Sequence, residues 1–160
     1  MKLILNKTNY FLFALMCLIL LANCKQIDLQ EQNINIPNNK WESTLILKDS
    51  FNIKDSTSLY DVFIVLRHTD AYEYNNIWLS IGLQELGKDM NVQKLNINLA
   101  NDAKGWDGVG MNDIWEVRKK IISKKKLNFG TYKISVGQIM RENPLLHVMN
   151  VGVRVEKVVL

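Results

Sequence analysis

From Thr44 to Val158 apolar and polar residues alternate in one short run after another, and a chain with that period buries its side chains as strands. The cleanest run is Gly130 to Met140, with Tyr132, Ile134 and Val136 on one face and Lys133 and Ser135 on the other. Gln93 to Leu99 sets Leu95, Ile97 and Leu99 against Lys94, Asn96 and Asn98. Ile77 to Leu86 sets Ile77, Leu79, Ile81 and Leu83 against Trp78, Ser80, Gly82 and Gln84. Val148 to Val158 carries Met149, Val151, Val153 and Val155 on one face; Thr44 to Ile53 carries Leu45 and Leu47, and Ile114 to Lys119 offers Trp115 and Val117. Leu59 to His68 differs. Val62, Ile64 and Leu66 alternate there with Phe63 and Val65, so it predicts a central strand covered on both faces. Gly, Asn and Asp turns separate the runs, and no long stretch has a helical period. The pattern predicts an all-β single domain, a β-sandwich or jelly roll of about seven or eight antiparallel strands.

Ahead of this lies a different kind of segment. Lys2 and Lys7 precede an apolar block from Tyr10 to Ala22, which ends in Leu21-Ala22-Asn23-Cys24. A positive start, an apolar middle and a small-residue exit define a secretory leader. The block is shorter than the roughly 20 residues that a spanning helix needs. The exit resembles a bacterial lipobox, with Asn23 where Gly, Ala or Ser is usual. In such a segment the chain is cut before the cysteine, whose sulfur carries diacylglycerol; with palmitate-type acyl chains contributing about 0.8 kcal/mol per buried methylene, two or three hold a domain on a membrane. The competing reading is an ordinary leader followed by an incidental cysteine. The expected organisation is a signal peptide over 1–23, a lipidated Cys24 with a polar tether over 24–40, and a sandwich over 41–160. Within the tether, Ile27, Leu29, Ile34 and Ile36 are spaced so that part of it could pair as an edge strand, and Trp41 closes it against the domain.

Cys17 leaves with the leader and Cys24 takes the lipid, so the mature chain has no thiol pair and relies on its core; 48% hydrophobic residues supply one. The formal charge of +4 falls to +2 once Lys2 and Lys7 are removed, so the basic balance is partly the leader's and gives nucleic-acid binding no support.

Motifs for chemistry are few. His68 and His147 stand at the ends of different runs, and His68-Thr69-Asp70 fits strand-end capping better than a base with its orienting carboxylate. No spacing suggests a metal site, a seryl nucleophile or any other catalytic residue, and no cofactor is expected. Gly105, Gly108 and Gly110 surround Trp106 in the longest irregular segment. A phosphate loop needs a strand before and a helix after, whereas strands flank this one, so the glycines serve turns around a tryptophan folded back on the sheet. Arg118 to Lys126 places six positive charges in nine positions, either a surface for acidic partners or a solvated hairpin whose lysines blunt an edge strand. Trp78, opposite its run's aliphatic row, is either a rim residue or a platform for stacking a sugar.

The residues also carry a family resemblance over nearly the whole chain. Ile36-Pro37-Asn38-Asn39-Lys40-Trp41, then Arg67 through the Tyr72-x-Tyr74 pattern to Asn76, then the Trp106 loop, and above all Gly130 to Lys157 with Met140-Arg141-Glu142-Asn143 at its heart, are similar to the gliding-motility lipoproteins of the GldH family. His68 stands where that family usually has Asn. The resemblance implies a membrane-anchored accessory of the gliding machinery, linked to secretion of surface adhesins and holding envelope proteins as partners. It implies no catalytic residue. A glycan-binding surface lipoprotein is the alternative. The residues after Cys24, Lys25-Gln26-Ile27-Asp28, lack the acidic run that accompanies surface display in these bacteria, so the periplasmic face of the outer membrane is expected. Candidate partner-binding residues are Trp106, Tyr72, Tyr74, Arg67, Arg141, Glu142 and Asn143; Trp and Tyr in end loops are the types that dominate interface energetics. Arg141 and Glu142 are expected to fix the turn ahead of Pro144 through hydrogen bonds.

Overall fold

The computed structural model describes residues 29–101 and 103–158. They form β1 (Leu29–Asn35), β2 (Lys40–Trp41), β3 (Leu47–Ile53), β4 (Leu59–Thr69), β5 (Asn76–Glu85), β6 (Asn91–Asn98), β7 (Ala100–Asn101), β8 (Gly105–Trp106), β9 (Val109–Met111), β10 (Ile114–Lys126), β11 (Gly130–Gln138), β12 (Leu145–Leu146) and β13 (Val148–Lys157), with one 3-10 turn at Pro37–Asn39. Thirteen strands therefore stand where seven or eight were expected. The excess is β2, β7, β8, β9 and β12, pairs of two or three residues inside the connecting loops, too short for alternation to reveal. The other eight are the long strands.

One sheet runs β1-β13-β4-β10-β9 and the other β3-β11-β5-β6. Among the long strands the first pairs with the last, the second with the seventh, the third with the sixth and the fourth with the fifth, all antiparallel. A doubled ribbon wrapped on itself in this way is a jelly roll. Its core lies between the inner faces, where Val62, Ile64 and Leu66 of β4 meet Ile77, Leu79 and Ile81 of β5, Ile134 of β11 and Ile97 of β6, all at most 2% exposed. β4 lies between β13 and β10, and Val65 on its other face is buried too, as its doubly apolar pattern predicts.

Two departures from simple alternation shape the first sheet. A register shift between Val148 and Asn150 turns Val148, rather than Met149, into the core. Gly152 lets β1 approach: a Cβ there would come within 2.1 Å of Asn33 Oδ1 and 2.4 Å of the Gln32 carbonyl oxygen. β1 itself occupies part of the stretch expected to be tether. Its seven residues pair from Leu29↔Glu156 to Asn35↔Asn150, so the ordered fold starts well before Trp41. Trp41 is fully buried and donates its indole N–H to the Leu45 carbonyl oxygen at 2.9 Å. The signal peptide, Cys24 and the residues up to 28 lie outside the described residues.

The wrapping sorts the connections. Three of them, 54–58, 86–90 and 127–129, lie at the end where β1 begins, here called proximal. The other four, 36–46, 70–75, 99–113 and 139–147, lie at the distal end.

Candidate functional site

The distal end gathers most of the candidate residues. β4 ends at Thr69, whose backbone N–H donates to the His147 carbonyl oxygen at 3.0 Å, and the chain turns so that Tyr72 N–H reaches the Thr69 carbonyl oxygen at 3.2 Å. This turn points Tyr72 inward. Only 3% exposed, its hydroxyl donates to the Asn76 carbonyl oxygen at 3.1 Å, and burial pushes its pKa up from 10. Trp106 folds back over the same place. Its ring stands edge-on to the imidazole of His68 with centroids 4.6 Å apart, and 6.3 Å from the ring of Tyr72. Two features hold its loop there: Asp107 N–H donates to the Leu99 carbonyl oxygen at 2.8 Å, and Gly108, at φ +95°, lets the backbone pass where a Cβ would lie 2.1 Å from the Glu116 carbonyl oxygen.

His68 is fully buried within this cluster. Nδ1 lies 2.8 Å from the Thr69 carbonyl oxygen, so that nitrogen carries the proton, while buried Nε2 has no hydrogen-bond partner among the described residues. Desolvation lowers its pKa below 6.5, which keeps the ring neutral and aromatic in its packing. It is a core residue, and among the described residues no carboxylate bonds either ring nitrogen.

Beside the cluster opens a groove of about 470 Å³, lined by Tyr74, Asn76, Trp78, Met140, Arg141 and Glu142. Tyr74 crosses between its two walls: the ring packs on Tyr72 at 5.8 Å, and the hydroxyl donates to the Glu142 carboxylate, which raises the tyrosine pKa above 10. The second wall is fixed from below. Gln138, 1% exposed, donates through Nε2 to the carbonyl oxygens of Trp41 at 3.2 Å and Glu142 at 3.3 Å, and accepts from Met140 N–H at 2.8 Å. Asn143 Oδ1 accepts from Ser43 N–H at 2.7 Å and ties the loop to its neighbour 36–46. Trp78 is 42% exposed at the rim, and its backbone carbonyl oxygen accepts from Ile139 N–H at 2.9 Å.

The candidates thus separate by role. Tyr74, Arg141 and Glu142 line the groove, Asn143 braces the loop behind, and half-buried Trp106 does not line it but packs on Tyr72, whose ring meets Tyr74. Tyr72 is buried and supports the others, since a side chain closed off from solvent makes no direct contact. Arg67 is not with them. It lies on the outer face of the first sheet, where Nε bonds Glu116 at 2.6 Å and Arg118 holds the same carboxylate at 2.6 Å. Arg141 corrects a second expectation: it is exposed and makes no hydrogen bond or ion pair among the described residues, so Gln138, Glu142 and Asn143 fix the turn without it. Sequence reasoning missed Gln138, whose outward marks are only those of a polar residue after a clean strand. The groove was also missed, because its walls come from segments 68 residues apart, counted from Tyr74 to Glu142. The basic run from Arg118 lies along β10 beyond the stretch Ile114 to Glu116 that pairs with short β9, and Lys120 pairs with Asp61. Among the described residues no group of three or more His, Cys, Asp or Glu side chains is placed to hold a metal ion.

The fold and its loops define a single-domain jelly roll with an aromatic-lined groove at one end. The chain belongs to the GldH lipoprotein family, whose family model matches residues 28–155. It is 27% identical to the gliding motility lipoprotein GldH homolog of Christiangramia forsetii, an alignment covering 93% of this chain and 95% of that protein. It is 26% identical to the gliding motility lipoprotein GldH of Flavobacterium johnsoniae, over 89% of this chain and 93% of that one. Membership of a lipoprotein family implies a lipid-anchored protein of the cell envelope. Among solved structures, the VP2 subviral particle of infectious bursal disease virus aligns with 82% of the chain at 13% identity and a TM-score of 0.35. The Gx strain of that virus aligns with 81% at 12% identity and 0.34, and this chain spans about a third of each of those viral chains.

Proposed function

We propose that this lipoprotein serves the gliding machinery, in the step linked to secretion of surface adhesins, as a protein-binding module that holds an envelope partner in the distal groove. The supporting observation is that groove itself: free Arg141, the Tyr74–Glu142 pair and exposed Trp78 converge on one concave surface. Aromatic and arginine side chains around a pocket are the composition of interface hot spots. Lipid attachment at Cys24, on the periplasmic face of the outer membrane, belongs to the same proposal. Crosslinked pull-down from envelopes tests it: wild type should capture a defined envelope protein, and a Trp78→Ala, Arg141→Ala double variant of unchanged melting temperature should lose it. Capture undiminished by that variant would move the contact elsewhere.

A second reading has its own support. An exposed tryptophan beside Asn76, Arg141 and Glu142 also suits a sugar ring stacked on the indole with its hydroxyls bonded at the edge. Retention on a polysaccharide matrix that Trp78→Ala abolishes, without capture of any protein, would favour it.

A further inference from the structure

The proximal end is built as differently from the distal one as its position is. Phe129 and Leu86, on the loops 127–129 and 86–90, are 75% and 70% exposed. Lys54, Lys125 and Lys126 stand at this end, exposed and without an ion pair among the described residues, next to exposed Lys124. Its acids are mostly engaged already: Asp55 with Lys157, Glu85 with Lys88, Glu156 with Arg154, and Asp61 with Lys120. Asp89 alone has no such partner among the described residues of these loops. The surplus at this end is therefore cationic, with large apolar side chains standing among the lysines.

The chain enters the fold here. Leu29 pairs with Glu156, and five residue steps separate it from Cys24, a span of about 17 Å even when fully extended. The distal loops lie a strand's length away; the 11 residues of β4 cover about 35 Å. A lipid on Cys24 consequently keeps the proximal end at the bilayer and leaves the distal end beyond the tether's reach.

We infer that the proximal end is a membrane-contact surface: Phe129 and Leu86 enter the headgroup layer of an anionic leaflet, and Lys54, Lys124, Lys125 and Lys126 meet its phosphates. The pairing of apolar side chains with basic ones is what interfacial binding requires, and one lipid-anchored segment gains firm orientation from such a second signal. The jelly roll then stands upright on its anchor with the groove facing away from the bilayer. The inference rests on lipid attachment at Cys24 and is independent of what the groove binds.

Spin labelling of the full lipidated chain tests it, and the mature sequence has no second cysteine to interfere. Phe129→Cys and, as a distal control, Met111→Cys, 71% exposed, are labelled and reconstituted in phosphatidylglycerol-containing vesicles. The label at 129 should be severalfold less accessible to a water-soluble nickel complex than the label at 111. That protection should fall in pure phosphatidylcholine and in a folded Lys124→Glu, Lys125→Glu, Lys126→Glu variant. Equal accessibility at 129 and 111 in protein that floats with the vesicles overturns the inference. So does dipolar broadening between labels at 129, which assigns this end to a second copy. A chain that does not float at all fails one step earlier, at the anchor.

Discussion

Trp106 covers His68: the indole stands edge-on to a fully buried imidazole at a centroid distance of 4.6 Å. The contact makes Trp106 a plug for the distal end of the core as much as a surface residue. Trp106→Ala should destabilise the domain by about 2 kcal/mol, less than the 3–5 kcal/mol of a fully buried tryptophan because one side of the ring meets solvent. Thermal denaturation should show a fall of several degrees. An unchanged melting temperature would mean that the loop is not seated on the core.

The same pair makes stability depend on pH. Burial lowers the folded-state pKa of His68 below 6.5, so the unfolded chain takes up this proton first. The stabilisation is complete above pH 6.5 and is lost as pH falls towards the depressed folded value. Urea midpoints should therefore drop between pH 7.5 and 5.5, to an extent that His68→Asn removes. A variant as pH-sensitive as wild type would place the titrating group elsewhere.

Arg141 and Tyr74 should respond oppositely to removal. Arg141→Ala deletes a side chain with no described bond, so its melting curve should match wild type while partner capture falls. Tyr74→Phe deletes the hydroxyl that joins the two walls of the groove at Glu142. It should release loop 139–147, seen as faster amide exchange there with the core strands still protected. Arg141→Ala melting well below wild type would show that the arginine holds structure after all.

Two glycines on different sheets give a paired test of packing. Gly152→Ala sets a methyl against the backbone of Gln32 and should cost about 1–3 kcal/mol as β1 is pushed off β13. At Gly137 the nearest obstacle is Ile46 Cδ1, 2.6 Å from an added Cβ and at the tip of a side chain that is itself 46% exposed. Gly137→Ala should be tolerated. Equal losses of melting temperature would show that neighbouring strands, not side-chain tips, set both sites.

The long strands were legible because each buries one face, and alternation reports burial directly. Their order was not: β1 meets β13 and β3 meets β11 across most of the chain, and no local pattern encodes which strand finds which. β1 itself was half hidden, because Leu-Gln-Glu-Gln-Asn-Ile-Asn is polar on an edge, where only Ile34 packs against the core. The bulge at Val148 moved Met149 out of the expected inward row, since one extra residue inverts the faces of what precedes it. At the candidate site the residue types were legible and the assembly was not. Tyr74 and Glu142 announce themselves as polar groups in loops; that one bonds the other follows only from the wrapping of the ribbon.

Gln30 fastens the two sheets along one side: its side-chain amide donates to the Asn52 carbonyl oxygen at 2.8 Å and accepts from the Asn52 N–H at 3.2 Å, standing in for a missing strand beside β3. This decides where the protein can be cut. A version begun at Trp41, the border that composition suggests, would open the ladder of β13 on the side that β1 covers and take the Gln30 clasp from the edge of β3, leaving both edges exposed to other molecules. A version begun just before Leu29 keeps the seam shut. With the lipid on Cys24, as proposed, five residue steps lie between anchor and Leu29, and a protease that frees the intact domain would have only that short stretch in which to act.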